Sequence, residues 1–501
     1  MNNPMFKTVL IASLLLSSVS MAQVDRSKVP DASSTSDWAP PGVNVWQLKN
    51  GLSVWHVEQR HTPLVTFSLV LPQGSETEPA ASAGRLSLMV DLMDEGAGTR
   101  NALEISAEMQ RLAMDFSGSV QTDATVFSMN ILAEKFTESL AVFTDILLRP
   151  KFERADFERR KAQRIASALS SEADLGQSAF RVLARSLFES GYRGMPSSGI
   201  KSTIEGLTLD GVVGVYPDII KPNGGVIIVV GAVDEATVKE TLSQSGLDGW
   251  TSQAETVKQQ TPKTKMLVSA PRSVAPTSTA KPSIQVVDFP GSAQTFVILG
   301  QRTEGIQAED RYTANVFNHG FSGSFTSRVN LNLREDKGYT YGARGGFSRS
   351  KLAGQFAIYA KVKRDTTRAS LDELFLELNQ VSSQKLVSQL ERDNAVNGLL
   401  KGFPGQFERG GALAGKLVGL ARTGRNPNDL INWPGKIKAV TLEAARSAAK
   451  TYTEPAAFTV VIAGDWSKVK ASLDGLGRTV VLRNADGTVL NVSKSAPSTK
   501  K

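Results

Sequence analysis

The feature that most constrains the fold of this chain is an internal repeat. The string GGVIIVVGAVDEATVKETL, which contains Gly231, is matched by AAFTVVIAGDWSKVKASL, which contains Gly464. A second pair, TFSLVLPQGSETEPA at Phe67 and TFVILGQRTEGIQAED at Phe296, has nearly the same separation, about 230 residues in both cases. Two copies at a near-constant offset predict a duplicated domain of about 220 residues.

Local patterns in the first copy predict an α+β domain. Asn50-Gly51 lies between two strand-like strings, and this dipeptide favours a tight hairpin turn. Apolar residues alternate through 127–131, as in a strand with one covered face. Helical spacing occurs at 105–112 and at 86–93, where Gly96 is the predicted C-cap. Such blocks predict a mainly antiparallel sheet covered by helices.

The first 22 residues are typical of a secretory signal peptide. Lys7 supplies a positive charge, residues 9–19 form an apolar run, and Ser20-Met21-Ala22 fits a cleavage site before Gln23. The apolar run is too short to cross about 30 Å of hydrocarbon. The sequence therefore predicts export and a periplasmic location.

Composition places the other boundaries. Residues 251–282 contain four prolines and many Ser, Thr, Lys and Arg residues, which is typical of a linker. The predicted domains are residues 40–250 and 283–480. A polar, flexible tail is predicted from 484 to 501.

Composition also excludes several classes of site. The chain has no cysteine, which excludes disulfides, Cys-ligated zinc, iron–sulfur clusters, a thiol nucleophile and lipid attachment to cysteine. A formal net charge of +8 is modest for 501 residues and does not indicate nucleic-acid binding. The basic run at 159–161 is interpreted as a solvated helix face. No stretch after the signal is long and apolar enough for stable membrane insertion.

Two segments resemble the M16 (pitrilysin/insulinase-like) metallopeptidase family. The first reads NGLSVWHVEQRHTPLVTFSLVLPQGSETEP and then AGRLSLMVDLMDEGAGTRNALEISAEMQRLA, and the second reads GFSGSFTSRVNLNLREDKGYTYGARGGF. The resemblance runs from about residue 43 to residue 470. It implies two homologous M16-type domains that form a clamshell around a chamber, where a peptide binds in extended form against a sheet edge.

The family's chemistry depends on an inverted zinc motif, His-x-x-Glu-His, in which two histidines bind zinc and the glutamate activates water. The corresponding positions in this chain are Ser87, Val90 and Asp91, and the position of the distant third ligand lies near Ser167 or Ala168. The motif occurs nowhere in the chain. The resemblance therefore implies no catalytic residue, metal or other cofactor in this chain, with zinc expected in a partner chain.

Other residues offer weaker candidates for chemistry. The three histidines, His56, His61 and His319, are scattered and are interpreted as surface or hydrogen-bonded side chains rather than metal ligands. Ser322 lies near His319 in GFSGS, but the string lacks the second glycine of a nucleophile elbow. The glycine-rich string at 342–346 lacks the lysine and the spacing of a phosphate loop.

The second segment keeps the residues that hold substrate in the family. LREDKGYTY resembles the family's Leu-Arg-Glu-x-x-Gly-x-x-Tyr segment, which places its Arg and Tyr at Arg334 and Tyr341. A guanidinium suits a peptide carbonyl or carboxylate, and tyrosine adds a hydroxyl and a ring. The alternative for Arg334 is a surface ion pair with a neighbouring carboxylate. Gly320 and Gly323 either let a bound chain pass close to the backbone or form turns.

These expectations combine into one main hypothesis and two alternatives. The main hypothesis is a non-catalytic subunit of a periplasmic M16 zinc peptidase, which holds peptide substrate for a separate zinc-bearing M16 chain in a heterodimer. The first alternative is a stand-alone peptide-binding or assembly module with no proteolytic role, which would bind peptide tightly without a protease partner. The second is a hydrolase with no metal or with different ligands, whose activity would survive chelation or follow a bound metal.

Overall fold

The computed structural model describes residues 38–188, 192–251 and 283–493. The predicted signal peptide, all but the first residue of the predicted linker, and the last eight residues of the chain lie outside this range. No helix in the described part is long and apolar enough to cross a membrane.

The described strands are numbered in chain order. They are β1 (Asn44–Gln47), β2 (Ser53–Glu58), β3 (Leu64–Leu71), β4 (Gly96–Ala97), β5 (Arg100–Asn101), β6 (Asp115–Val120), β7 (Thr125–Leu132), β8 (Val226–Gly231), β9 (Ile284–Asp288), β10 (Gln294–Glu304), β11 (Thr340–Arg349), β12 (Ala353–Lys363), β13 (Thr459–Gly464), β14 (Val480–Arg483) and β15 (Val489–Ser493).

The described α-helices are numbered in the same way. They are α1 (Arg85–Leu92), α2 (Ala102–Arg111), α3 (Phe136–Leu148), α4 (Arg154–Glu172), α5 (Leu175–Leu187), α6 (Lys201–Glu205), α7 (Leu209–Val213), α8 (Tyr216–Ile219), α9 (Glu235–Gln244), α10 (Arg311–Asn318), α11 (Arg328–Asn330), α12 (Thr367–Val381), α13 (Gln389–Lys401), α14 (Gly410–Arg422), α15 (Asn428–Lys438), α16 (Leu442–Tyr452) and α17 (Trp466–Val469).

The sheet topology confirms the duplication. The first sheet has the order β6-β7-β3-β8-β2-β1, and the second has the order β11-β12-β10-β13-β9-β14-β15. In both sheets the strand that ends at the repeated glycine, β8 or β13, pairs antiparallel with one neighbour and parallel with the other. The predicted class, two α+β domains with mainly antiparallel sheets, is therefore correct.

Each domain has its own aromatic core under the helices. In the first domain, Phe143 of α3 contacts Phe67 and Phe127 of the sheet, with ring centroids 4.9 and 6.5 Å apart. In the second, Phe356 and Phe458 have ring centroids 6.2 Å apart. All five rings are buried, which accounts for the alternation seen at 127–131.

Two helices are exchanged between the domains. Helix α5 of the first domain packs on β10 and β13 of the second, and α14 of the second packs on β3 and β8 of the first. The first contact needs a glycine, because a Cβ on Gly300 would lie 2.5 Å from Cδ1 of Leu183. At the second contact, a Cβ on Gly410 would lie 3.6 Å from Cγ1 of Val230. The two domains are therefore interlocked.

Two predicted boundaries are wrong. Helix α1 ends at Leu92 rather than at Gly96, because Gly96 begins a short ribbon with β5 and its carbonyl accepts from the amide of Lys151 at 2.8 Å. The predicted tail from 484 also starts too early, because β15 pairs antiparallel with β14. Asp486 caps the polar turn between these strands by accepting from the amide of Thr488 at 2.7 Å.

Candidate functional site

Helix α1 carries the positions at which the resemblance places the zinc motif. The hydroxyl of Ser87 donates to the carbonyl of Ser197 at 2.7 Å. Val90 is buried, and a Cβ on Gly118 of β6 would lie only 2.5 Å from Val90 Cγ1. Ser87 is thus committed to the backbone, and Val90 is part of the apolar packing between α1 and the sheet.

Asp91 is held by an arginine from the helix that should have supplied the third zinc ligand. Nε of Arg164, in α4, donates to Oδ2 of Asp91 at 2.5 Å, and its Nη2 donates to the carbonyl of Ser87 at 3.1 Å. The expected third positions follow on α4, where Ser167 is exposed and Ala168 is buried. Arg164 therefore ties α1 to α4 by a charge-assisted contact.

The contacts of α4 continue beyond Asp91, past the end of α1. Arg159 and Arg160 of α4 both pair with Glu95, and Arg160 also lies 3.8 Å from Asp94. Burial raises the pKa of Asp94 from 3.8 to about 6. Lys161 donates to two backbone carbonyls at the end of α6, both at 2.8 Å. The interpretation of this basic run as a solvated face is therefore correct for Arg159, which is exposed, and only partly correct for Arg160 and Lys161, which are half-buried against acidic and carbonyl groups.

These residues do not fit a zinc ion. Zinc needs imidazole, thiolate or carboxylate donors around one point. No group of three or more such side chains that could hold a metal occurs in the described ranges. The one carboxylate on the motif, Asp91, already faces a guanidinium. The chemistry of this donor set is that of a structural ion pair.

The second candidate region surrounds Arg334, which lies in a π-helical segment, Leu331–Asp336. Its guanidinium carbon is 4.4 Å from the centroid of the Phe325 ring, and its Nη1 is 2.8 Å from Oε1 of Glu335. A third of the Arg334 side chain is exposed. The neighbouring ion pair considered as an alternative is therefore present, and the guanidinium also stacks on an aromatic ring.

Tyr341 projects from the start of β11 and is 94% exposed. Asn330 links the two sides of this region, because its Nδ2 donates to the carbonyl of Phe325 at 2.6 Å and its Oδ1 accepts from the amide of Ala343 at 2.9 Å. Phe325 is also more than half exposed. The region therefore presents a cation, a phenol and an aromatic ring to solvent on a hydrogen-bonded support.

The glycines near this region differ in what they permit. Gly320 and Gly323 lie in another π-helical segment, His319–Gly323. A Cβ on Gly323 would lie 2.7 Å from Nδ2 of Asn318, whereas one on Gly320 would meet nothing nearer than a carbonyl at 3.9 Å. Gly323 is therefore required by packing, whereas a Cβ at Gly320 would make only an ordinary van der Waals contact.

The other candidate groups do not form a reactive site. Ser322 is fully buried, and its hydroxyl donates to Oδ1 of Asn318 at 2.7 Å. Nε2 of His56 lies 2.9 Å from the carbonyl of Val233, His61 is exposed, and burial lowers the pKa of His319. The histidines are thus spread over separate environments, as the sequence predicts.

Three side chains were missed by sequence reasoning. Arg164 contacts Asp91 from far along the chain, and a basic residue in an amphipathic helix does not indicate which carboxylate it faces. Phe325 and Asn330 lie inside the family-like string, but the sequence alone does not show that they support Arg334 and its surroundings. A search for aromatic and amide side chains flanking Arg334 would have found them.

Glu78, which precedes α1, has a buried carboxyl group that should make the stability of the first domain depend on pH. Its Oε1 accepts from the amide of Leu86 at 2.7 Å, and burial raises its pKa from 4.5 to about 7. The carboxyl of Glu78 then binds its proton more tightly in the folded chain than in the unfolded chain. This preference adds to the free energy of unfolding in full below about pH 4.5, and the added stability is lost as the pH rises through about 7. We expect Glu78→Gln to be more stable than the parent at pH 8, by about 2–3 kcal/mol.

Urea unfolding at pH 5 and pH 8 measures the effect. The advantage of Glu78→Gln should be small at pH 5 and large at pH 8. Glu158→Gln, at an exposed position of α4, is the matched control and should change stability equally at both pH values. An equal effect of Glu78→Gln at both pH values would contradict the raised pKa.

Two family models match the chain. One, described as "Insulinase (Peptidase family M16)", matches residues 54–195, which include α1 and most of the first domain. The other, described as "Peptidase M16 inactive domain", matches residues 206–399, which include Arg334 and Tyr341.

Similar proteins agree with these matches. An uncharacterised zinc protease of Rickettsia bellii is 25% identical over 354 residues, which are 70% of this chain and 80% of that protein. The crystal structure of a peptidase M16 inactive domain from Pseudomonas fluorescens matches 84% of this chain and 98% of its own, with a TM-score of 0.73 and 21% identity. A protease from Helicobacter pylori matches 85% and 100%, with a TM-score of 0.73 and 16% identity.

Proposed function

This chain belongs to peptidase family M16, and from that premise we propose that it is a non-catalytic subunit of a periplasmic zinc peptidase. The observation that carries the proposal is the Arg164–Asp91 pair. This pair joins α1 to α4, the two helices on which the resemblance to the family places the zinc ligands. The chain thus keeps the family's fold while its motif positions serve packing.

The retained function in this proposal is the holding of peptide substrate. Tyr341 is exposed and Arg334 is half-buried on one hydrogen-bonded segment. Ser87, Val90 and Asp91 are instead engaged within the first domain. A guanidinium can bind a peptide carbonyl or carboxylate, and the ring of Tyr341 can cover the bound chain. The absence of a side chain at Gly320 would let a peptide backbone approach more closely than a larger residue would.

The zinc in this proposal belongs to a second M16 chain. The resemblance implies a chamber between the two domains of this chain. Because α5 and α14 interlock those domains, we propose instead that the peptide chamber lies between two chains, with one wall from each. The partner would supply His-x-x-Glu-His, its zinc and the attacking water, and this chain would supply Arg334 and Tyr341. The periplasmic location rests on the signal-like N-terminal sequence.

Co-purification tests the proposal. The full chain, tagged at its C-terminus in its native host, should recover a second M16 chain with an intact His-x-x-Glu-His at a ratio near one to one. Metal analysis should find zinc in the complex but not in this chain purified alone, and only the complex should cleave peptides.

Other outcomes would overturn it. Recovery of this chain alone, with tight peptide binding, would favour the stand-alone binding or assembly module. Peptide cleavage by the isolated chain that survives chelation, or that follows a bound metal, would favour a differently built hydrolase. Either result would remove the split-peptidase role.

A further inference from the structure

A cleft in the second domain is lined by Gly323 but by none of Arg334, Tyr341 and Gly320. It has two adjoining lobes of about 540 and 360 Å³, lined mainly by residues of α10, α13, α14, α15 and the end of β11. Arg422, Arg425 and Trp433 line both lobes. Volumes of this size are typical of sites for small organic ligands.

The smaller lobe concentrates positive charge. Arg311 and Arg349 line it together with the two shared arginines, so four guanidiniums surround one lobe. Asp429 pairs with two of these guanidiniums, because its Oδ2 lies 2.7 Å from Nε of Arg425 and 3.9 Å from Nη2 of Arg311. This carboxylate therefore cannot balance both guanidiniums.

The remaining carboxylates leave the cleft with excess positive charge. Asp310 lies 3.2 Å from Arg349, and the fully buried Asp123 of the first domain lies 3.4 Å from Arg422. In the larger lobe, Lys416 has no carboxylate partner within the described residues. Lys416 lines the larger lobe, and partial desolvation there lowers its pKa; a bound anion would offset that cost.

The cleft also has an aromatic wall. The rings of Trp433 and Phe403 are stacked, with centroids 4.3 Å apart and planes 17° apart. The larger lobe adds apolar side chains, Leu399, Leu420 and Leu430. Guanidiniums beside an indole suit an oxyanion group attached to a flat or apolar body.

We propose that this cleft binds a small organic anion, with its carboxylate or phosphate group between Arg422 and Arg425 and its apolar body against Trp433. The proposal does not depend on a protease partner, because every contact in it comes from this chain. Lys416 adds a second, weaker contact to the oxyanion in the larger lobe. Binding would be weakened by salt, because the attraction is electrostatic and partly exposed.

Calorimetric titration of the full mature chain tests the proposal with three probes: phenyl phosphate, benzene-1,3-dicarboxylate and inorganic phosphate. At about 50 mM salt we expect at least one of the two aromatic anions to bind with a Kd below about 1 mM. The tighter of the two identifies the oxyanion as phosphate or carboxylate. Inorganic phosphate should bind at least about tenfold more weakly, because it lacks the apolar body.

Variants assign the binding to the cleft. Arg425→Gln should weaken the better probe by about tenfold or more, and Lys416→Ala by about threefold to tenfold. Lys416 is exposed and unpaired in the described structure, so its replacement leaves folding intact even where Arg425→Gln does not. Lys436→Ala, at an exposed position of α15 outside the cleft lining, is the control and should leave the Kd unchanged.

The opposite results are equally clear. Failure of both aromatic anions to bind at about 10 mM would overturn the proposal. Binding that is unchanged in Lys416→Ala and Arg425→Gln would place the ligand elsewhere and overturn it too. Equal affinity for inorganic phosphate would remove the role of Trp433 and reject the organic ligand.

Discussion

Leu183→Ala should lower the free energy of unfolding of the whole chain by about 3–4 kcal/mol. Leu183 lies on α5 of the first domain, is fully buried, and contacts β10 of the second domain at Gly300. Truncation removes apolar contacts and leaves a cavity at a place where both walls belong to regular structure. Such a site cannot collapse easily, so the loss should lie above the lower end of the usual range.

Because the two domains are interlocked, truncation of a side chain in the reciprocal helix should also destabilise the chain. Leu417 of α14, also fully buried, occupies the reciprocal helix, and Leu417→Ala should cause a similar loss. Leu169→Ala, at a half-exposed position of α4, is the control and should change stability by less than about 0.5 kcal/mol.

Urea unfolding followed by far-UV circular dichroism, together with the fluorescence of Trp55 and Trp466, measures both domains. Trp55 reports on the first domain and Trp466 on the second, once the other tryptophans are replaced by phenylalanine. We expect both probes to shift together in Leu183→Ala. A shift of the second-domain probe alone, or a loss below about 1 kcal/mol, would contradict the interlocking of the domains.

The sequence predicted those features that local pattern encodes. The duplication followed from two pairs of similar strings with nearly the same separation. Each pair forms equivalent strands in the two domains, β8 with β13 and β3 with β10. The hairpin at Asn50-Gly51 followed from turn chemistry, and Gly51 indeed has a φ of 87°. These signals lie within a few residues of the structure that they specify.

Features that depend on distant partners were not predicted. Helices α5 and α14 look like ordinary amphipathic helices, and nothing in their periodicity says that each covers the other domain's sheet. The partners of Arg160 and Lys161 were not predicted for the same reason, since they lie just after α1 and around the end of α6, far away in sequence. The end of α1 was misplaced because Gly96 serves a ribbon instead of a cap.

The candidate site shows the same difference between features encoded locally and features that depend on distant residues. Alignment with the family's motif located Ser87, Val90 and Asp91 on one helix, as the structure has them. It did not indicate that Arg164 would occupy the side of α4 that faces Asp91. The motif positions in this chain therefore lack zinc ligands, and one of them, Asp91, pairs with Arg164; only the first of these features is visible in a motif.

Arg334 is the residue whose replacement should affect the proposed function most. Its guanidinium is positioned by the Phe325 ring and by Glu335, but a third of the side chain remains open to a peptide. A charge-assisted hydrogen bond to substrate contributes about 1.5–3 kcal/mol. Arg334→Ala should therefore lower kcat/KM of the two-chain peptidase by about 10-fold to 100-fold while the complex still assembles.

The chain offers a closely matched control for this experiment. Arg364 is exposed to a similar degree, 30% against 33%, and also pairs with the next residue, Asp365. Arg364→Ala should leave kcat/KM unchanged, so a loss confined to Arg334→Ala reports on position rather than on charge. Arg334→Lys should recover only part of the activity, because an ammonium keeps the charge but not the planar, bidentate donor. Full turnover in Arg334→Ala, with the complex intact by gel filtration, would remove the peptide-holding role from this segment and leave the assembly role as the better account of an M16 chain without zinc ligands.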